Sequence, residues 1–493
     1  MAVRKTDVVL VNPGSRSAVY QKLGDSLSAI EPPSLAGLFA TYLRNKGVSV
    51  AIVDAPALNL SPRDASEIVV REYQPILVVM VVYGFQPSAS TQNMPAAGET
   101  CRAIKQLDGN IRIMMTGTHP AALPEQTMRE EDIDFVCDRE GPETILQTVR
   151  ALKSTGPSFH DIPSLWYREN GRVLSNPPGE LMNDLDSEMP GVAWDLLPMN
   201  KYRAHNWHCF DHIHERSPYV SIHTSLGCPY KCLFCCINAP FGKSSYRMWS
   251  PDTVIREIDA LVTKYGVRNI KFVDEMFVLN KNHVLGICDR IIERGYDLNI
   301  WAYARVDTVK DEFLEKLRRA GIRWLALGIE SGSKHVRDGV EKGRFGTPQI
   351  LEVVRKIQQA GIYVIGNYIF GLPDDTHESM RETLDLAIEA NCEFANFYSA
   401  MAYPGSSLYR IALEKGWELP DSWIGYSQHS YETQPLRTEV LRAAEVLKFR
   451  DEAFLEYFRN PRYLEMVRRK FGDSVVQHIA EMSQIQLERK LYS

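Results

Sequence analysis

The chain has 493 residues, of which 44% are hydrophobic and 24% charged, and its net charge is −6. This length exceeds what one hydrophobic core supports, so two or three domains are expected. The mild negative charge argues against a nucleic-acid-binding surface, which needs a basic excess. The sequence shows no secretory leader and no run of about 20 apolar residues. A cytoplasmic protein without a membrane span is therefore expected.

Residues 7–150 alternate apolar runs with amphipathic stretches, a pattern typical of parallel strands that alternate with helices. Pro32 and Pro33 precede a helical stretch that Gly47 ends. The apolar runs that predict strands lie at 8–11, 48–53, 76–82, 111–115 and 135–136. Residues 1–150 are therefore predicted to form a doubly wound domain of Rossmann type.

Residues 151–217 contain scattered prolines and little periodicity, which predicts a linker with a short hairpin near 163–167. A second series of strands and helices begins at Tyr219. Its predicted strands are 219–225, 268–274, 299–305, 324–329, 363–370 and 393–400. Its predicted helices are 252–265, 281–294, 311–320, 348–360 and 377–390.

Six such units are fewer than the eight of a complete barrel. Residues 218–420 are therefore predicted to form a partial (β/α)6 barrel of TIM type, with its chemistry at the C-terminal ends of the strands. Residues 421–493 are charged and carry an apolar face, which predicts a C-terminal helical extension. The whole chain is thus assigned to the α/β class.

Four of the nine cysteines lie between residues 228 and 236, an odd and clustered set that favours metal ligation over a disulfide framework. Cys228, Cys232 and Cys235 follow the first predicted barrel strand with CxxxCxxC spacing. Three thiolates on one loop can bind three irons of a [4Fe–4S] cluster and leave the fourth iron open to a chelating small molecule. The alternatives are a zinc site, which would want a fourth ligand at a matched spacing, or three buried cysteines.

From this loop to about residue 410 the chain resembles the radical S-adenosylmethionine (SAM) enzymes. The resemblance implies that the three cysteines hold a [4Fe–4S] cluster whose open iron is chelated by SAM. Residues 366–373 match the segment that packs under adenine. The resemblance also implies SAM-binding roles for Phe234 near the adenine, Asp274 and Glu275 at the amino group, Arg305 at the carboxylate, and Glu330 and Ser331 on the ribose side.

The order of the two domains resembles the cobalamin-binding subclass of these enzymes, so the corrin is expected across the C-terminal ends of the first sheet. The loops at 83–88 and 117–120 would hold it. The cofactor-binding residues that this implies are Asn12, Pro13, Tyr83, Gly117, Thr118, His119, Glu140 and Gly141. The Asp-x-His-x-x-Gly signature, whose histidine ligates cobalt in methionine-synthase-like domains, is absent; His119 is the candidate to serve in its place, although its flanking residues do not match the motif. A Rossmann domain that binds no ligand, or binds another nucleotide, is the alternative, but no G-x-G-x-x-G follows the first strand.

The function that the resemblance implies is C-methylation, in which SAM is cleaved at the cluster and methylcobalamin supplies a methyl group to an unactivated carbon. A small metabolite or a peptide is expected as substrate, and flavodoxin or ferredoxin as electron donor. The alternatives are an oxidative cyclase or rearrangement enzyme of the same subclass, a methylthiotransferase, and a sensor without enzymatic activity. The segment 208–214 is either an interface loop or a wall of the substrate pocket.

Overall fold

A computed structural model describes residues 5–14, 16–84, 89–343 and 345–492, except for the side chain of Asp25. The N-terminal sheet has the strands β1 (Val8–Asn12), β2 (Val50–Asp54), β3 (Leu77–Val82), β4 (Arg112–Gly117), β5 (Phe135–Cys137), β6 (Leu165–Glu169) and β7 (Arg172–Ser175). Their order is β2-β1-β3-β4-β5-β6-β7, and the first five strands in the chain are parallel. The five predicted strands and the doubly wound layout are confirmed.

The strand order reverses at β1, which pairs with β2 on one side and β3 on the other. Open α/β sheets bind ligands at such a switch point, beyond the carboxyl ends of the strands. The helices of this half are α1 (Arg16–Tyr20), α2 (Leu23–Ser26), α3 (Ser34–Asn45), α4 (Ala55–Leu58), α5 (Pro62–Ile68), α6 (Ala89–Leu107), α7 (Thr118–Ala122), α8 (Pro124–Glu130) and α9 (Pro142–Lys153), and a π-helix (Val69–Tyr73) continues α5.

The hairpin expected near 163–167 is present, but it does not lie in a free linker. Its strand β6 pairs antiparallel with β5, where Val136 faces Trp166, so the hairpin extends the first sheet. The chain then passes through α10 (Leu185–Glu188) and the short 3-10 turns Trp194–Leu196, Met199–Lys201 and Trp207–His212.

The second sheet has six parallel strands and forms the predicted half-barrel. Its strands are β8 (Tyr219–Ile222), β11 (Asn269–Phe272), β12 (Asn299–Arg305), β13 (Ile322–Glu330), β14 (Tyr363–Phe370) and β15 (Phe394–Ser399), in the order β15-β14-β13-β12-β11-β8. A separate antiparallel pair, β9 (Ser225–Leu226) and β10 (Arg247–Met248), lies beside it, with a 3-10 turn at Ala239–Phe241.

The helices of the half-barrel match the predicted ones to within a residue, and two were not predicted, α14 and α17. They are α11 (Pro251–Tyr265), α12 (Lys281–Arg294), α13 (Asp311–Arg319), α14 (Lys334–Gly339), α15 (Thr347–Gln359), α16 (His377–Ala390) and α17 (Ser407–Lys415). After a 3-10 turn (Trp423–Tyr426), the helical extension consists of α18 (Ala443–Phe458), α19 (Pro461–Phe471) and α20 (Asp473–Met482). In the part of the chain that the structure covers, every helix is too short or too polar to span a bilayer.

Glu257 on α11 ties the connecting segment to the half-barrel. One of its carboxyl oxygens accepts the backbone N–H of Val192 at 2.8 Å and the indole N–H of Trp194 at 3.0 Å. Burial raises the pKa of this carboxyl to about 7. The folded protein therefore holds a proton there at pH values where the unfolded chain has lost it.

Replacing Glu257 with Gln should make the stability of the folded protein less sensitive to rising pH. Between about pH 4.3, where an unfolded glutamate titrates, and the folded pKa of about 7, the folded state binds more protons, so the wild-type stability falls as pH rises. The amide keeps the accepting oxygen but cannot ionise. We expect the stability of E257Q relative to wild type, measured as the difference in the free energy of unfolding in urea, to be about 1–3 kcal/mol greater at pH 8 than at pH 5. An equal difference at both pH values would contradict this.

Candidate active site

A cavity of about 290 Å³ lies where the carboxyl ends of the two sheets face each other. The first sheet contributes Tyr83 and Thr118, which follow β3 and begin α7. The half-barrel contributes the cysteine loop and the ends of its strands. The predicted site residues that line this cavity are Cys228, Cys232, Cys235, Phe234, Glu275, Arg305, Glu330, Tyr83 and Thr118.

The cysteine loop is braced on both sides. The β9–β10 pair holds its start, and the Asn238 side chain accepts the N–H of Cys228 at 3.4 Å and donates to its carbonyl at 3.1 Å. Farther on, the N–H of Leu233 donates to Val340 at 3.1 Å, and its carbonyl accepts the N–H of Leu408 at 2.8 Å. The loop is thus held by backbone contacts that leave its thiols available.

The donor set fits an iron–sulfur cluster. All three thiols line one cavity, and a cluster takes each thiolate at a different iron. Among the residues described, no three His, Cys, Asp or Glu side chains converge on the position of a single ion, as a zinc site would require. Burial raises the pKa of the Cys228 thiol to about 11, so ligation must displace a proton.

Asp274 and Glu275, adjacent after β11, have different roles. The Asp274 carboxylate is fully buried and accepts the N–H of Thr224 at 2.6 Å and the hydroxyls of Thr224 and Ser225. It does not line the cavity, and in this structure it braces the loop before the cysteines. Glu275 lines the cavity, and burial raises its pKa to about 8.

Arg305 is held in place by its neighbours. Its guanidinium makes a two-point contact with Asp307 at 2.9 and 3.0 Å, donates to the carbonyl of Lys342, and stacks over the ring of Tyr230 at 3.8 Å. Its remaining nitrogen lies 3.7 Å from the sulfur of Cys232. Most of its donors are therefore occupied, and it faces the cluster side of the cavity.

Lys342 is a cavity residue that the sequence did not indicate. Its amine lies 2.6 Å from the carboxylate of Glu330, and both side chains are buried. Burial disfavours the charged amine, but Glu330 outweighs it and the pKa of Lys342 is raised. Glu330 itself has a positive φ of 67°, an uncommon backbone conformation for a residue with a side chain. Ser331, the next residue, bonds to Thr383 and lies outside the cavity, so its predicted contact with SAM is not supported.

Two glycines shape the corrin side. A Cβ at Gly117, where φ is +147°, would lie 2.0 Å from the carbonyl oxygen of Val82, and one at Gly141, where φ is +112°, would lie 3.1 Å from the Phe39 ring. Both glycines allow close packing, and neither lines the cavity. Asn12 and Pro13 line a second cavity instead, described below.

Two other predicted cobalamin residues line neither of these two cavities. His119 is buried, hydrogen-bonds Thr91 at 3.2 Å, and packs edge-on against the Trp423 ring at 4.5 Å. Burial lowers its pKa to about 3, and its ring contacts Thr91 and Trp423, so the structure does not favour it as a cobalt ligand. Glu140 forms an ion pair with Arg247 at 2.7 Å and accepts the N–H of Met182, so in this structure it joins the first domain to the half-barrel.

Comparison with known proteins agrees with this arrangement. Residues 222–387 match the model of the radical SAM superfamily, and residues 23–149 match that of the B12 binding domain. An uncharacterized methyltransferase of Pyrococcus horikoshii is 30% identical over 459 residues, which cover 93% of each chain. The chain belongs to the cobalamin-binding radical SAM methyltransferases.

Further relatives of this methyltransferase are more distant. An anaerobic magnesium-protoporphyrin IX monomethyl ester cyclase of Cereibacter sphaeroides is 25% identical, over 89% of this chain and 68% of the relative. The radical SAM methyltransferase TsrM of Kitasatospora setae, solved with cobalamin and a [4Fe–4S] cluster, shares the fold with a TM-score of 0.67 at 18% identity, over 93% of this chain and 90% of that one. OxsB, a cobalamin-dependent radical SAM enzyme, shares the fold with a TM-score of 0.70 at 16% identity, over 97% of this chain and 72% of that one.

The cofactors of this methyltransferase are therefore a [4Fe–4S] cluster, SAM and cobalamin.

The segment 208–214 lies against the base of the half-barrel. His208 is buried, and its ring contacts the carbonyl oxygen of Asn299 at 3.0 Å. Burial lowers the pKa of His208 to about 3, as expected for an interface residue.

Gly227, immediately before the first cysteine, should be intolerant of a side chain. Its φ is +84°, and a Cβ there would lie 2.6 Å from the carbonyl oxygen of Ser245. We expect Gly227→Ala to destabilise the loop by about 1–3 kcal/mol and to lower the iron and sulfide content per chain after reconstitution.

Gly266 is the matched control for this substitution. It has a φ of +64° at the end of α11, but a Cβ there meets no atom within 4 Å. Gly266→Ala therefore carries the backbone strain without the clash and should keep the wild-type iron content. Equal iron content in the two variants would contradict the proposed role of Gly227.

Proposed function

We propose that the enzyme cleaves SAM reductively at a cluster held by Cys228, Cys232 and Cys235, and transfers the methyl group of methylcobalamin to an unactivated carbon of a small molecule. When bound, these groups supply a 5′-deoxyadenosyl radical, which removes a hydrogen atom, and the methyl group that replaces it. A one-electron donor of the flavodoxin or ferredoxin type belongs to the same proposal. The observation that carries it is the single cavity that the cysteine loop shares with Tyr83 and Thr118 of the B12 binding domain.

Within this cavity the charged side chains are arranged for an amino acid ligand. Glu275 is the carboxylate we assign to the amino group of SAM, since it lines the cavity while Asp274 does not. Lys342, rather than the more fully engaged Arg305, is the cation we assign to the carboxylate of SAM. Glu330 then holds the Lys342 amine on one side and faces the ribose on the other.

Apolar and aromatic side chains form much of the wall of this cavity. Phe234 packs against Val336, Leu372 and Ala400 beneath the cluster loop. Across the cavity, Met401 is buried, and Tyr403 lies near the Gln428 side chain, which bonds both backbone groups of Ser399 at 2.9 Å. A dry, rigid pocket protects a radical from side reactions and keeps its partners at reacting distance.

Replacing all three cysteines with alanine tests the assignment of the cluster. We expect the triple variant to lose the iron–sulfur absorption and the formation of 5′-deoxyadenosine from SAM under reducing conditions, while it still binds cobalamin. Cys288→Ala is the control, because Cys288 is a buried cysteine on α12 that does not line the cavity. A triple variant that still forms deoxyadenosine would overturn the proposal.

Methyl transfer is tested separately with methyl-labelled SAM. Under reducing conditions, wild-type enzyme loaded with cobalamin should move the label from SAM to the corrin and release S-adenosylhomocysteine, both measured by chromatography. Deoxyadenosine formation without label on the corrin would instead favour radical chemistry that does not include methylation.

Lys342→Met tests the assignment of the SAM carboxylate. Loss of a buried charge-assisted contact costs about 1.5–3 kcal/mol, so the Kd for SAM should rise about tenfold or more. Equilibrium dialysis of labelled SAM with the reconstituted protein measures it. Lys316→Met, which removes an exposed amine paired with Asp289, should leave the Kd unchanged. An unchanged Kd in K342M would show that Lys342 serves only to neutralise Glu330.

A further inference from the structure

A second cavity, of about 240 Å³, lies inside the half-barrel and behind the first. Its walls come from the loop after β1, the segment before α3, the inner faces of the barrel strands and the C-terminal helices. The two cavities share Tyr303, Asn367, Tyr398 and Gln428. Nothing in the proposed binding of cluster and SAM uses this second space.

Most charges in the second cavity are already balanced. Glu31 and Lys271 form a buried ion pair at 3.1 Å, and His205 lies 3.7 Å from the same carboxylate. Arg450 is paired with Asp451 at 2.7 Å and donates to the carbonyl of Phe397. These side chains need no ligand of opposite charge.

Arg16 is different. Its side chain lines the cavity, its Nε atom is buried without a hydrogen-bond partner, and no ion pair joins it to any residue that the structure describes. Glu31 is the one acidic side chain among the described lining residues, and it belongs to the Lys271 pair. A buried guanidinium nitrogen without an acceptor is costly, and its planar fork matches a carboxylate or phosphate group.

Neighbouring side chains provide an uncharged hydrogen-bond donor or acceptor and an aromatic surface. The Nδ1 atom of His429 is buried without a partner, and burial together with Arg450 and Arg489 holds the pKa of this ring well below its usual value. Trp301 packs edge-on against Trp207 at 5.1 Å and against Tyr303 at 5.0 Å. The cavity therefore joins a cationic end to a planar apolar wall.

We propose that this cavity binds the methyl acceptor and that the acceptor is a small organic anion. Its carboxylate, phosphate or phosphonate group contacts Arg16, and its apolar body lies against Trp301 and Tyr303. The carbon to be methylated then points toward the shared wall and the first cavity. The identification of the ligand as the acceptor rests on the proposed function, whereas the anion site does not.

One other source of the same anionic chemistry is the nucleotide phosphate of cobalamin. Arg16 follows the loop after β1, at the edge of the space assigned to the corrin. Binding experiments therefore compare protein loaded with cobalamin to protein loaded with cobinamide, which lacks the nucleotide and its phosphate.

The test uses reconstituted, cobalamin-loaded protein and three probes: phenylacetate, phenylphosphonate and uncharged phenylacetamide. Isothermal titration calorimetry should show that wild type binds the two anions at least about tenfold more tightly than the amide. Arg16→Gln should abolish this preference, while Arg16→Lys should retain part of it. Arg63→Gln is the control, because the Arg63 side chain is 84% exposed, and it should bind like wild type.

Equal affinity of wild type for amide and anions, or undiminished anion binding by R16Q, would overturn the proposal. So would anion binding that appears with cobinamide and disappears with cobalamin, since the site would then belong to the corrin tail. Deoxyadenosine formation by the same wild-type samples is measured separately. If no deoxyadenosine forms, the proposed function is contradicted but the anion preference is not, so the two failures can be distinguished.

Discussion

The ion pair between Glu140 and Arg247 joins the two halves of the active site. Glu140 follows the last parallel strand of the first sheet, and Arg247 lies on β10, whose partner β9 leads directly into the cysteine loop. Both side chains are only about 10% exposed. Removing one partner of such a pair leaves an uncompensated buried charge, at a cost of about 3–5 kcal/mol. The ion pair thereby holds the cysteine loop and the corrin-side loops around the same cavity. Every other part of the site depends on this arrangement.

Adjacent polar residues at the ends of two barrel strands have different roles, one in the cavity and one in the scaffold. After β11, Asp274 braces a loop while Glu275 enters the cavity, and at the end of β13, Glu330 enters while Ser331 bonds Thr383. In each pair of adjacent polar residues, one side chain enters the cavity and the other bonds to the scaffold. The bracing residue fixes the backbone that aims its neighbour.

Much of this architecture could be predicted from local pattern. The strands of both sheets coincide with continuous apolar runs, because parallel strands are buried on both faces, and the cysteine spacing identified the loop. Three kinds of feature could not be predicted. Asp274 and Glu275 could not be told apart, because the direction of a side chain at a strand end depends on the turn that follows. Lys342 lies in a loop with no motif around it, and it reaches the site only through the pairing with Glu330. His119 stood at the expected place in the sequence, but α7 turns its ring toward Trp423, a residue about 300 positions away.

The wall of four side chains that separates the two cavities makes them interdependent compartments. Asn367 donates to the carbonyl of Leu327 and accepts from Asn396, and Gln428 bonds both backbone groups of Ser399, so these shared side chains are positioned by the strands around them. A molecule that displaces them from either side changes the shape of the opposite chamber. Occupancy of one chamber therefore affects the other through the side chains that line both. Such a steric interlock suits chemistry in which a highly reactive species should form only when its target is already seated.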